Sequence, residues 1–178
     1  MERTILITGC SGQLGYRLCC DLSNHFNVLD TYREHKNNNK KLDLMDKSDF
    51  KNIFSTYTPD IIINCAALTN VDYCQENKSQ CHAVNVEGLN KLISFSNINT
   101  KIIQISTDYV FDGIKGGYDE SYLTHPVNYY GKCKLEAENL LIGSNKKHII
   151  FRAGMLFDDC NDNFLTWILN NLKQKKEI

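Results

Sequence analysis

The chain has 178 residues, 42% hydrophobic and 23% charged, the size and balance of one globular domain spanning 1–178. A formal net charge of −1 and a pI of about 6.5 exclude the strongly basic surface that a nucleic-acid or acidic-membrane partner requires. No apolar run approaches the roughly 18 residues of a membrane span, and MERTILITGC lacks the length and cleavage site of a secretory leader, so a cytoplasmic protein is expected.

In chain order, Thr4–Thr8 reads as a first strand. It runs directly into Gly9-Cys10-Ser11-Gly12-Gln13-Leu14-Gly15, a G-x-x-G-x-x-G variant of the dinucleotide fingerprint. Glycine lets the chain turn sharply and brings backbone N–H groups up to a pyrophosphate, and a following helix turns its positive end toward the phosphates. Glycine triplets also serve plain turns; the position between a first strand and a helix with Leu14, Leu18 and Leu22 on one face is what favours a nucleotide site. Gly9, Ser11, Gly12, Gln13, Leu14 and Gly15 are the candidate contacts.

A second strand covers Asn27–Tyr32 and ends in Tyr32-Arg33-Glu34. An acid at this strand end takes ribose hydroxyls, whereas an arginine accommodates a 2′-phosphate. If the strand runs to Tyr32, Asp30 lies within it and Arg33 reaches the ribose, which favours NADPH over NADH. A polar loop at Asn37–Asn39 leads to Leu42-Asp43-Leu44. Helix faces follow at Phe50, Ile53, Phe54 and Tyr57, and at Val84, Gly88, Leu92 and Phe95, with a strand at Asp60–Asn64 between them. Lys101–Ser106 and His148–Arg152 are further strands, separated by a helix that starts at NYYGKCK. A last helix carries Phe164, Trp167, Ile168 and Leu172, and its Lys173–Lys176 end reads as solvated.

The strand runs are nearly continuous in apolar residues, as expected where both faces of a parallel sheet are covered. Alternation of strand and helix predicts a Rossmann-like, doubly wound α/β sheet. The eight cysteines (Cys10, Cys19, Cys20, Cys65, Cys74, Cys81, Cys133, Cys160) form no C-x-x-C pair and lie in apolar segments. They read as reduced, small buried hydrophobes and not as zinc ligands.

Five segments in series, TGCSGQLG, LDLMD, PDIIINCAALTNVD, ISTDYVFDG and NYYGKCKLEAE, resemble the extended short-chain dehydrogenase/reductase family. Within it they are most similar to the dTDP-4-dehydrorhamnose reductases, and the resemblance covers essentially the whole chain. It implies reduction by NADPH or NADH of the 4-keto group of a dTDP-4-keto-6-deoxy sugar. It assigns cofactor contacts to the glycine loop, to Asp43 and Leu44 beside the adenine, to Cys65, Ala66 and Ala67 along the cofactor, and to Asn85 near the nicotinamide end. Read without the family, Asn85 is a helix-surface amide.

The resemblance also assigns catalysis to Thr107, Tyr130 and Lys134, with Tyr130 and Lys134 touching the cofactor too. The chemistry supports the pair: i, i+4 spacing sets both on one helix face, and an ammonium should lower the phenol toward the working range. Tyr129 has Cys133 four positions on, and Lys132 is only two from Tyr130, so neither makes that pair. Ser106 is the competing hydroxyl to Thr107. Related dehydratases carry Asp-Glu after the Thr; here Asp108 is followed by Tyr109, which disfavours water elimination. Epimerases of the same superfamily and the non-catalytic methionine adenosyltransferase β-subunit are the alternatives. Family members continue into a small C-terminal substrate region, which is expected to be largely missing from a chain ending KQKKEI. The family also implies a homodimer, in some members with Mg2+ at the dimer contact; no residue of this sequence identifies that ion.

Overall fold

The computed structural model describes residues 3–34, 40–157 and 163–173; the Asn37–Asn39 loop, Cys160 and the lysines after Lys173 lie outside the described residues. Six strands form one parallel sheet: β1 (Thr4–Thr8), β2 (Asn27–Tyr32), β3 (Lys40–Lys41), β4 (Ile61–Asn64), β5 (Lys101–Thr107) and β6 (His148–Ala153). Their spatial order is β3-β2-β1-β4-β5-β6. The chain leaves β1 toward β2 on one side and later returns to β4 on the other. That reversal opens a crevice at the carboxyl ends of β1 and β4, the place where open α/β sheets take ligands.

The helices are α1 (Gln13–Leu22), α2 (Lys47–Thr56), α3 (Val71–Glu76), α4 (Lys78–His82), α5 (Gly88–Phe95), α6 (Tyr129–Ile142) and α7 (Phe164–Lys173). Side-chain caps set the starts of α2, α3 and α6, with Asn70 accepting the Tyr73 N–H at 2.8 Å for α3. Asp46 accepts the Ser48 N–H at 2.8 Å and starts α2; Asn128 accepts the Gly131 N–H at 2.7 Å and starts α6.

Leu6, Leu29, Ile62 and Ile102 cover one face of the sheet and meet Phe50 and Ile53 of α2, Leu89 and Leu92 of α5, and Ala137 and Leu141 of α6. Burying each of these large side chains contributes about 1.5–3 kcal/mol. The opposite face is smaller. Ile5, Ile7 and Ile63 lie beneath Leu18, Cys19 and Leu22 of α1.

Several expectations change here. Register places Ile7, Ile63, Ile103 and Ile149 in one row, yet Ile149 is 40% and Phe151 54% exposed. The HIIFR strand is therefore covered on one face and open on the other, although its run of apolar residues suggested two covered faces. Helices α3 and α4 and the two-residue β3 were not legible, being too short for a periodic signal. Between α4 and α5, Ala83–Glu87 forms a π-helical turn. Its extra residue advances the buried stripe to Asn85, Val86, Gly88, Leu89 and Leu92 and leaves Val84 only half-buried.

Candidate active site

The glycine loop follows β1 as expected. Gly9 has φ +70°, the left-handed region open to glycine. A Cβ there would lie 2.8 Å from the Ala66 backbone, and one on Gly15 would lie 2.3 Å from the Gly9 carbonyl oxygen. Glycine thus lets α1, the loop and the Cys65–Ala67 segment close on one another. Gly12 caps α1 with no side-chain hydrogen bond, and the first turn carries no acid. The N–H groups of Gln13 and Leu14 therefore open toward the crevice without intrahelical acceptors, as a pyrophosphate requires. The donor set fits a dinucleotide.

A buried polar chain fixes the strand ends around this crevice. Thr8 Oγ1 donates to Asn64 Oδ1 at 2.6 Å, Asn64 Nδ2 to Gln104 Oε1 at 2.8 Å, and Gln104 Nε2 to the Ile105 carbonyl at 2.8 Å. The Ala66 N–H in turn donates to Thr8 Oγ1 at 3.1 Å. Satisfied networks of this kind rigidify a site. Thr8, Asn64 and Gln104 escaped the sequence reading because each reads simply as a strand residue.

At the other end, β2 does run to Tyr32, with Asp30 inside it. Arg33 follows directly, 74% exposed and 3.4 Å from Glu34. Asp43 accepts the Met45 N–H at 2.8 Å, and its own N–H donates to Asp49 at 2.9 Å. Leu44 differs from expectation: its side chain is buried in the core against Gly88. Only its backbone is left to border a ligand, and the Leu44 carbonyl already accepts Lys91 Nζ at 2.9 Å.

Asn85 is 3% exposed, which removes its surface-amide alternative. The π-helical turn points it at the loop after β4, where Oδ1 accepts the Leu68 N–H and Nδ2 donates to the Leu68 carbonyl, both at 2.9 Å. It clamps the loop beyond Ala66 and Ala67.

Thr107 and Tyr130 come together at the carboxyl end of β5. Thr107 Oγ1 accepts the Tyr109 N–H at 3.2 Å and donates to Asp108 Oδ1 at 3.2 Å, with the Tyr130 phenol close enough to be lowered by the Thr107 hydroxyl. Tyr109 meets the Tyr130 ring edge-on at 6.1 Å. A Cβ on Gly131 would lie 2.2 Å from the Tyr109 carbonyl oxygen, so glycine in NYYGKCK is what lets the start of α6 approach this segment. Ser106, on the alternate side of the strand, is used elsewhere: it hydrogen-bonds Glu138.

Lys134 is 3% exposed and donates to the Ile105 carbonyl at 2.6 Å. Burial pulls its ammonium down to about 8, opposed by the Glu138 carboxylate. The expected lowering of the Tyr130 phenol does not occur. Burial pushes it up to about 12, and the nearby Thr107 hydroxyl only partly offsets that. Desolvation outweighs the neighbouring charge here, and Lys134 directs its ammonium to the Ile105 carbonyl. Tyr130 is therefore held as a proton-bearing acid.

Tyr130, Lys134 and Glu138 form an i, i+4, i+8 stripe on α6. Glu138, 1% exposed, receives Arg152 of β6 in a bidentate pair, with Nη2–Oε2 at 2.7 Å and Nε–Oε1 at 3.1 Å. Neither residue was singled out from sequence. The stripe was readable by spacing, but no local pattern announces Arg152. Its guanidinium also lies 5.1 Å over the Phe111 ring and lines a cleft of about 890 Å3 beside Thr107 and Tyr130. Asp72, Asp108, Asp112, Asp119 and Glu120 line the same cleft. Among the described residues no group of three or more His, Cys, Asp or Glu could hold a metal ion, and no helix is long and apolar enough to cross a membrane.

The parallel sheet, its crevice and the glycine loop define a Rossmann-like α/β domain. Residues 3–178 match the RmlD substrate binding domain, and the chain belongs to that family. A dTDP-4-dehydrorhamnose reductase of Aggregatibacter actinomycetemcomitans is 37% identical over 96% of this chain and 58% of its own length. The methionine adenosyltransferase 2 subunit beta of Xenopus laevis is 30% identical over 89% of the chain and 48% of its own length. The crystal structure of a dTDP-4-dehydrorhamnose reductase from Bacillus anthracis in complex with NADP superposes with a TM-score of 0.88. It is 30% identical and matches 100% of this chain and 62% of that one. The chain thus spans less than two thirds of the length of these relatives.

Proposed function

We propose that the protein reduces the 4-keto group of a dTDP-4-keto-6-deoxy sugar with NADPH, converting dTDP-4-dehydrorhamnose to dTDP-rhamnose. The observation that carries this reading is a buried Tyr130 beside Thr107 at the carboxyl end of β5, with Lys134 one turn along α6. A bound nicotinamide dinucleotide supplies the hydride. Thr107 holds the carbonyl oxygen by its hydroxyl, and Tyr130 gives that oxygen its proton as negative charge develops there. Lys134, charged at neutral pH, stabilises the phenolate left behind and can hydrogen-bond the cofactor ribose. Gly9, Ser11, Gly12, Gln13, Leu14 and Gly15 receive the pyrophosphate. Cys65, Ala66 and Ala67 flank it, Asp43 and the Leu44 backbone border the adenine, and Arg33 meets the 2′-phosphate. In the cleft, acidic side chains suit the hydroxyl donors of a sugar. The same reading carries a cytoplasmic homodimer, as the family resemblance implies.

The test is NADPH oxidation dependent on a dTDP-4-keto-6-deoxy sugar, with Tyr130→Phe alongside. General acid catalysis contributes roughly 10²–10⁴-fold, so that loss is expected in kcat with dinucleotide affinity unchanged. Near-native turnover by Tyr130→Phe, or no sugar-dependent oxidation by the native protein, would overturn the proposal.

A further inference from the structure

Two thiols in the nucleotide-binding half have no part in the proposed reduction. Cys10 lies in the glycine loop, 1% exposed, and Cys19 lies half-buried on α1. Their sulfurs are 2.9 Å apart, and Cys10 Sγ also meets the Ile7 carbonyl at 3.2 Å. We propose that Cys10 and Cys19 form a redox-modification site, closed into an intramolecular disulfide by a small-molecule disulfide of the glutathione class. A disulfide bond is about 2.05 Å long, so the sulfurs need approach by less than an ångström beyond their present contact.

The more accessible Cys19 reacts first. Cys19 Sγ donates to Cys10 Sγ, whose own S–H goes to the Ile7 carbonyl; the contact between the two thiols lowers Cys19, and the same contact with burial raises Cys10, so Cys19 is the partner that ionises. The Cys19 thiolate attacks the oxidant, breaking its S–S bond, forming a mixed disulfide and releasing one glutathione thiolate. Cys10 then gives its proton to solvent, and its sulfur attacks Cys19 Sγ. The Cys10–Cys19 bond forms and the second glutathione thiolate leaves. Two electrons pass from the cysteines to the oxidant, which becomes two thiols. Removing the Cys19 charge in the first step also removes much of what holds the Cys10 proton.

The bridge would tie the loop to the second turn of α1. Gly9 and Gly15 already pack without room for a Cβ, so a pull at position 10 shifts the backbone that meets the pyrophosphate. This consequence rests on the proposed function. Coupling between two sites is commonly worth a factor of about five or more, and the bridged form is expected to bind NADPH at least that much more weakly.

The experiment exposes the chain to oxidised glutathione, quenches by alkylation and maps the peptides by mass spectrometry. The expected product is a Cys10–Cys19 cross-link, lacking two hydrogens and reversed by dithiothreitol. The Cys10→Ser chain should stop at a mixed disulfide on Cys19. Absence of the cross-link, or bridging among Cys74, Cys81 and Cys133 in its place, overturns the site. Equal NADPH affinity of bridged and reduced chains overturns the coupling. A reduced chain that binds no NADPH counts against the nucleotide reading alone, because the cross-link is mapped without cofactor.

Discussion

The two halves of the crevice are built in different ways. The nucleotide half is made of main chain: glycines at 9, 12 and 15, free helix N–H groups, and a Cys65–Ala67 backbone held at van der Waals contact. The half proposed to be catalytic is made of side chains that cross elements, with Thr107 from β5, Tyr130, Lys134 and Glu138 from α6, and Arg152 from β6. Backbone cradles need space and tolerate no added atom. Side-chain sites need burial and charge balance, and they fail when one partner of a set is removed.

The largest effect expected after that of Tyr130→Phe falls on the second kind. Glu138→Ala leaves the Arg152 guanidinium without its carboxylate. Removing one partner of a buried pair destabilises by about 3–5 kcal/mol, measured by urea unfolding. An unchanged midpoint would mean that the pair across α6 and β6 does not hold the catalytic half together. Gly15→Ala probes the first kind. The overpacked cradle should lose about 1–3 kcal/mol, read as a roughly five- to 150-fold weaker dinucleotide Kd with the Thr107, Tyr130 and Lys134 side chains intact. Full affinity in that variant would erase the distinction between the halves.

Lys134 sharpens the contrast through pH. Its folded-state value is about 8 against an ordinary 10.5. Below pH 8 the folded protein bears the whole cost of a buried charge. Between about 8 and 10.5 the unfolded chain binds more protons than the folded one, so stability rises with pH. Relative to Lys134→Met, the native protein should gain stability over that window while its turnover falls. A parallel pH course for the two proteins would sink the assignment. The smallest effect is expected at exposed Arg33. A surface charge contact is worth up to about 1 kcal/mol, roughly fivefold, so Arg33→Ala should raise the NADPH KM by that factor and leave the NADH KM alone.

The halves also differ in how legible they were. The glycine loop, the five longer strands and the helix that begins at NYYGKCK depend on local spacing and backbone propensity, which the chain displays directly. Tyr130 and Lys134 could be paired by an i, i+4 rule, and Glu138 continues that rule. Three other features could not be read. The π-helical turn adds a residue without a compositional mark, and so re-aims Asn85 from surface to loop clamp. Leu44 reads as a loop residue until Gly88 makes room for it in the core. The upward shift of the Tyr130 phenol needs knowledge of its burial.

By itself, the amino-acid sequence determined the alternation of strand and helix, the glycine loop after β1 and the i, i+4 pairing of Tyr130 with Lys134, because each rests on neighbours within a turn or two. Only the tertiary structure decided that the Tyr130 phenol is pushed up and not down, that Ser106 hydrogen-bonds Glu138, and that Arg152 ties β6 to α6. Those outcomes depend on desolvation and on contacts between residues distant in the chain, and neither is encoded in local periodicity.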